Sequence, residues 1–348
     1  MDATGKTMHD ALKKYDDFRI VSRDLTDVPG FTLSALLHNE MHFLPPFLDH
    51  YRKLGVERFV FVDDRSTDGT AEFLDAQTDV MVLKSNRNFG DNIAAVDAVA
   101  LGLPHQRMDL VWRMLLVEKY ALDQWSLHLD ADEFLDLPDG MTIDDLTSRL
   151  GRESDRAVMA AMIDMYPATL SDLAGMADDT IIDLHKPWYF DGEGHLRLRK
   201  GKAPKMIHPG SRARLLAKHN LNRKSKWLET RLRSLLGLPI ARYNAIRKPV
   251  FFHAREGMRF DSSHDVSLNY NADILLPLRH YKFNGPIHRR IAIATSSGGY
   301  PNGGREYREL SRLLHSMSRT DGDFRYRKSV LYTGFEDFRR TGNALGFD

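Results

Sequence analysis

Along the first half of the chain, apolar residues fall in short runs that polar turns interrupt. Phe31-Thr-Leu-Ser-Ala-Leu-Leu37 is one such run and stops at His38-Asn39-Glu40. Arg58-Phe-Val-Phe-Val-Asp63 and Val80-Met-Val-Leu83 are two more. Trp125-Ser-Leu-His-Leu129 is a fourth and ends in Asp130-Ala-Asp-Glu133. Runs of this length bounded by turn residues predict buried strands. Between them the spacing becomes helical. Phe43, Leu44, Phe47, Leu48, Tyr51 and Leu54 share one helix face, and Gly55 stops it. Helices are also expected around 8–16, after the 64–70 turn, and over 91–103 and 110–122. A capped helix over 142–150 and a strand over 157–163 follow. Strand–helix alternation of this kind predicts an α/β fold: a mixed, mostly parallel sheet flanked by helices.

The texture changes further on. Between Arg197 and Lys248 there are sixteen Lys and Arg residues against one acid, Glu229. A basic amphipathic helix is expected over 224–236. Strand character returns at Pro249-Val-Phe-Phe-His253 and at Leu278-Arg-His-Tyr-Lys-Phe283. Residues 296–304 read as a flexible break, and 305–348 as a peripheral helix with a charged tail. The expected divisions are a lead-in (1–30), a ligand-binding half (31–165), a second region (166–295) containing the basic insertion 197–248, and a helical tail (296–348).

Composition changes this picture little. The 348 residues are 42% apolar and 28% charged, with a net charge of +1, ordinary for a globular chain. No global field points to nucleic acid. Cysteine is absent, which removes disulfides, thiol nucleophiles and Cys-based zinc sites. No apolar run reaches the roughly 18–20 residues of a membrane span, and the N-terminus has no signal-like core. A cytoplasmic protein is expected, with peripheral contact to the inner face of a membrane through 224–236 as an open alternative.

The candidate chemistry lies at the strand tips. Carboxylates at the carboxyl edge of an α/β sheet sit where such sheets bind ligands. Asp130 and Asp132 suit a hard divalent cation that also holds substrate phosphates. Asp63 and Asp64 suit hydrogen bonds to a ribose or a base N–H. Ser66, Thr67 and Asp68 suit a helix cap. Lys84, Arg87 and Asn88 follow the third strand, within reach of a nucleotide, and Asp91 caps the helix expected after it.

The order Asn39-Glu40, then Asp63-Asp64-x-Ser-x-Asp-Gly-Thr70, then Leu129-Asp-Ala-Asp-Glu-Phe134 resembles the nucleotide-binding half of inverting glycosyltransferases of the GT-A fold, close to glycosyltransferase family 2. The resemblance covers residues 31–135. It implies a donor site in which Asn39, Glu40, Asp63, Asp64, Arg87, Asp130 and Lys282 surround a nucleotide sugar, with UDP the expected nucleotide. It also implies Mn²⁺ or Mg²⁺ held by Asp132, with Asp130 and a late histidine, His280, completing the shell. Glu133 is expected to support the site from behind.

Inversion at a sugar carbon needs a general base to take the proton of the acceptor hydroxyl. Asp164, Asp265 and His264 are the candidates, and Asp191 is a further one by position. The acceptor is a glycan, a lipid-linked sugar or another hydroxyl compound. The alternative is a GT-A-like nucleotide- or carbohydrate-binding protein without catalysis. Phosphatase chemistry on Asp130 is disfavoured because Glu133-Phe134 stands where that motif has Thr or Val.

Overall fold

The computed structural model describes residues 3–94, 98–99, 107–151, 156–177, 180–221, 246–296 and 304–347. The expected helix over 224–236 lies outside them.

The strands are β1 (Arg19–Ile20), β2 (Thr32–Leu37), β3 (Arg58–Asp63), β4 (Val80–Lys84), β5 (Trp125–His128), β6 (Glu133–Leu135) and β7 (Arg156–Asp164), then β8 (Tyr189–Asp191), β9 (Leu196–Arg199), β10 (Lys202–Met206), β11 (Arg247–His253), β12 (Phe260–Ser262), β13 (Asp265–Val266), β14 (Asn269–His280) and β15 (Ser329–Leu331). The helices used below are α1 (Ala3–Lys14), α2 (Leu44–Lys53), α3 (Thr70–Asp75), α4 (Met108–Tyr120), α5 (Ile143–Leu150), α6 (Leu170–Ala174), α7 (Gly210–Lys218), α8 (Ile287–Ser296), α9 (Arg305–Met317) and α10 (Phe335–Arg340).

One nine-stranded sheet organises the chain, in the order β1-β4-β3-β2-β5-β11-β7-β14-β6. β4, β3, β2 and β5 lie parallel, as do β7 and β14. β11 runs antiparallel between β5 and β7 and joins the two parallel blocks. β1 and β6 close the edges antiparallel. The sheet is therefore mixed and mostly parallel, with six of its nine strands running one way.

Both faces are covered, and the alternation in β3 shows how. Phe59 and Phe61 pack on the side of α2 and α5, against Phe47, Leu48 and Ile143. Val60 and Val62 pack on the side of α1 and α4, against Leu12, Val111 and Trp112. Successive side chains point to opposite faces, so a strand covered on both faces reads as a continuous apolar run. A third cluster, under α8 and α9, holds Phe283, Ile287, Leu313 and Met317. Among the described residues, no helix is long and apolar enough to cross a membrane.

Two expectations need correction. Residues 91–93 do not open a helix: Asn92 bridges Arg107 antiparallel, and the Asp91 carboxylate accepts the Asn88 N–H at 2.8 Å. The tail beyond α9 is not a solvated appendage. β15 pairs with β8, and Phe335 and Phe338 of α10 are buried in the main core.

Candidate functional site

Strand order brings the tips of β2, β3, β5 and β14 to one edge. There, with α4, α8 and α9, they close a pocket of about 590 Å³. From the strand tips come Asn39, Glu40, Asp64, Asp130, Asp132 and His280, with Lys282 just beyond. The helices contribute Arg113, Arg290 and Tyr307.

At one end the loop after β3 is tied to the loop after β2. Asn39 adopts a left-handed backbone (φ 57), which a short polar side chain tolerates. Its amide oxygen accepts the Thr67 N–H at 2.7 Å, and its own N–H donates to Ser66 Oγ at 2.9 Å. Ser66 thus serves the loop; Gly69, just before α3, has no side chain to cap it, but Asp68 Oδ1 accepts the Thr70 N–H at 3.1 Å. Asp63 is buried in the same way: Oδ1 accepts the Ser66 N–H at 3.2 Å, and Lys84 Nζ stands 3.4 Å from Oδ2. It does not line the pocket. Asp64 does. Its Oδ2 accepts the Phe89 N–H at 3.0 Å, while buried Oδ1 has no partner. Burial pushes its pKa up. An orphaned carboxylate oxygen in a pocket wall is an acceptor waiting for a donor.

At the other end, His280 closes β14 and Asp164 closes β7, its parallel neighbour, so the two face each other in register. His280 donates Nδ1–H to Asp164 Oδ1 at 2.7 Å. Arg212 and Ser211 donate to Asp164 Oδ2 at 2.9 and 3.3 Å. Burial opposes this charge, but Arg212 and His280 outweigh it and hold the carboxyl well below its usual range. The Asp164 bond fixes the tautomer and aims His280 Nε2 at Asp132 Oδ2, 3.7 Å away. Carboxylate–histidine pairs of this form orient metal-ligating imidazoles. Arg290 Nη1 lies 3.5 Å from the same Asp132 oxygen, and its other terminal nitrogen pairs with Glu40. Burial lifts Glu40 to about 7, against the pull of Arg290.

Asp130 departs from expectation. Lys248, from β11, donates to Asp130 Oδ2 at 2.8 Å and to Glu133 Oε2 at 2.6 Å. Arg113 donates to Asp130 Oδ1 at 3.2 Å. Burial acts upward on Asp130, but these cations hold it well below the carboxylate range. Both oxygens meet protein cations, which anchor Asp130 in the wall, while its side chain stays 42% exposed and lines the pocket beside Asp132. Among the described residues, no group of three His, Cys, Asp or Glu is placed to hold a metal alone.

The remaining predicted residues separate. Lys282 lines the pocket, 3.3 Å from Glu306 Oε1 and 3.4 Å from Tyr307 Oη. Arg87 does not; its Nε lies 3.5 Å from Asp17 Oδ1. None of the three base candidates lines the pocket. Asp164 is spent on His280 and Arg212. Asp265 pairs with Arg247 at 3.3 Å and accepts the Tyr270 hydroxyl. His264 Nδ1 donates to the Arg247 carbonyl at 3.0 Å, and burial pushes its pKa down to about 4. Asp191 is buried under Arg214, 2.8 Å away.

Arg113, Arg290 and Tyr307 were missed by sequence reading. Arg113 left a signal, a lone charge inside Val111-Trp-Arg-Met-Leu115. Arg290 and Tyr307 look like ordinary helix-surface residues, and only the packing of α8 and α9 over the strand edge brings them in. No protein-family model matches the chain, and no curated protein matches it.

Proposed function

We propose that the chain is a metal-dependent glycosyltransferase of GT-A type, resembling family 2. It would move a sugar, with inversion, from a nucleotide-sugar donor, a UDP-sugar first, to a glycan, lipid-linked or other hydroxyl acceptor. One observation carries this reading. His280, locked by Asp164, turns Nε2 toward Asp132 in the same pocket that Asp64 lines.

The roles follow from the chemistry of each group. Asp64 accepts a base N–H or a ribose hydroxyl through its orphaned oxygen. Asn39 and Ser66 hold that loop in place. Asp132 and His280 Nε2 offer the donor pair for Mn²⁺ or Mg²⁺. Two protein ligands suffice for an ion that takes its other ligands from diphosphate oxygens and water. Once bound, the ion supplies charge neutralisation for the departing nucleoside diphosphate. Arg290 places a cation between Glu40 and Asp132, and Lys282 adds another on the wall. Asp130, with Lys248 and Arg113, keeps that wall rigid.

The test is a thermal-shift screen of nucleoside diphosphates and nucleotide sugars with and without Mn²⁺. A ligand that binds the native state raises its apparent stability by mass action. A metal-dependent response selective for one nucleotide is expected, and no response to any of them defeats the proposal. The second reading, a nucleotide- or carbohydrate-binding protein without catalysis, draws on the engagement of Asp130 by Lys248 and Arg113. It predicts nucleotide binding with no metal dependence and no donor hydrolysis.

A further inference from the structure

Arg290 stands between two acids of the pocket. It sits in the first turn of α8, where its N–H donates to the Pro286 carbonyl at 2.9 Å. Nη2 donates to Glu40 Oε2, and Nη1 lies 3.5 Å from Asp132 Oδ2. The guanidinium therefore spans the tip of β2 and the carboxylate that follows β5. Its central carbon is 5.3 Å from the centre of the Phe43 ring.

The two ends of this bridge differ. Glu40 is bonded to Arg290 and is itself fixed by its backbone: its N–H donates to Thr70 Oγ1 at 3.1 Å, and its carbonyl accepts the Phe43 and Leu44 N–H groups at 2.9 and 3.1 Å. The Asp132 end lies beyond ordinary hydrogen-bond distance. His280 Nε2, the other nitrogen group near that oxygen, is 3.7 Å away. Asp130 shows the contrast, since Lys248 and Arg113 donate to its two oxygens at 2.8 and 3.2 Å. Arg290 thus offsets the charge of Asp132 without binding it, and a partner held so loosely can be exchanged. Lys282, the other cation near His280, is engaged by Glu306 and Tyr307.

A divalent cation on Asp132 and His280 would meet the Arg290 charge at the same oxygen, and like charges repel most strongly away from water. A diphosphate has the opposite effect, because the planar fork of a guanidinium holds phosphate oxygens two at a time. We propose that Arg290 is a stand-in counter-ion: it covers Asp132 until a nucleoside diphosphate takes over its guanidinium, so that nucleotide and divalent cation bind as a coupled pair. This inference rests on the metal-dependent reading of the pocket. Such coupling is reciprocal, each ligand raising the affinity of the other by the same factor. Its signature is that Arg290 opposes the cation alone and favours the nucleotide alone.

The experiment measures each ligand separately on the full chain: Mn²⁺ by electron paramagnetic resonance without nucleotide, and UDP by titration calorimetry in the presence of EDTA. Arg290→Gln should bind Mn²⁺ alone more tightly than the parent and UDP alone more weakly, by roughly tenfold in each direction, a usual size for coupling between sites. Arg290→Lys keeps the charge and loses the fork, so it should leave Mn²⁺ affinity near that of the parent and still weaken UDP. Thermal unfolding close to that of the parent is the fold control for both variants. Weaker binding of both ligands in Arg290→Gln, the mark of a merely structural residue, overturns the proposal. Unchanged affinity for either ligand overturns it too. If the parent binds Mn²⁺ in the presence of UDP and only these differences are missing, the inference alone falls. If no form of the protein binds Mn²⁺, with or without UDP, the metal-dependent reading falls and takes the inference with it.

Discussion

His280 donates Nδ1–H to Asp164 Oδ1 at 2.7 Å, across 116 residues of sequence. A carboxylate first suited to the role of a base thereby becomes the group that orients an imidazole. Its consequence is measurable. Asp164→Asn should weaken Mn²⁺ binding in the presence of UDP about 10–100-fold. Electron paramagnetic resonance of free Mn²⁺ reads this without reference to turnover. Unchanged affinity would remove Asp164 from the metal argument.

Asp132→Asn should abolish both donor hydrolysis and sugar transfer while thermal unfolding stays close to that of the parent. Among the described residues, the Asp132 carboxylate has no hydrogen bond at normal distance, and the cations beside it are 3.5 and 3.7 Å away. Full activity in the variant would dismiss the proposed chemistry.

Lys248→Met should destabilise the protein by about 3–5 kcal/mol, because one partner of a buried ion group is removed and Asp130 and Glu133 remain. Lys248 and Glu133 side chains are 2% and 1% exposed, so solvent cannot replace the lost ammonium. Urea unfolding monitored by tryptophan fluorescence gives the number. A loss below about 1 kcal/mol would place this cluster among the weak ion pairs.

Acid should weaken the fold through His50. Burial, reinforced by Arg279, pushes its pKa down to about 4 from 6.5. Between those values the unfolded chain binds a proton that the native state does not. Stability from this group is therefore complete above pH 6.5 and falls as the pH drops toward 4, by on the order of 3 kcal/mol. His50→Gln should flatten that part of the profile. Equal pH slopes in parent and variant would show that His50 contributes nothing to it.

Thr142→Ala should cost about 1 kcal/mol. Thr142 Oγ1 accepts the Asp145 N–H at 3.3 Å, and Asp145 Oδ2 accepts the Thr142 N–H at 2.8 Å, a complete capping box. The same urea assay applies, and no change in midpoint would mean that α5 is held by packing alone.

The strands were legible because a strand covered on both faces leaves a continuous apolar run, and β3 matches its expected span of Arg58 to Asp63. Strand tips were legible for the same reason, and Asp64, Asp132 and His280 do share a pocket. Pairing across long separations was not legible. Nothing local in Pro249-Val-Phe-Phe-His253 says that it lies between β5 and β7. Nothing beside Asp130 says that Lys248 will neutralise it. The helix expected from residue 91 does not start there, because the Asp91 carboxylate accepts the Asn88 N–H in a turn, which looks alike in sequence; most of the rest of that span lies outside the described residues.

The position of β11 also sets an order of events during synthesis. β5 and β7 are made well before residues 247–253, yet neither has its partner on that side until those residues leave the ribosome. Until then the growing chain carries two open strand edges, the kind of surface that invites pairing with another chain. A fragment ending near residue 165 would keep those edges permanently. The expected boundary between a ligand-binding half and a second region is thus a division of labour within one sheet, and β11, a strand of the second region seated between two strands of the first, is what makes the two inseparable.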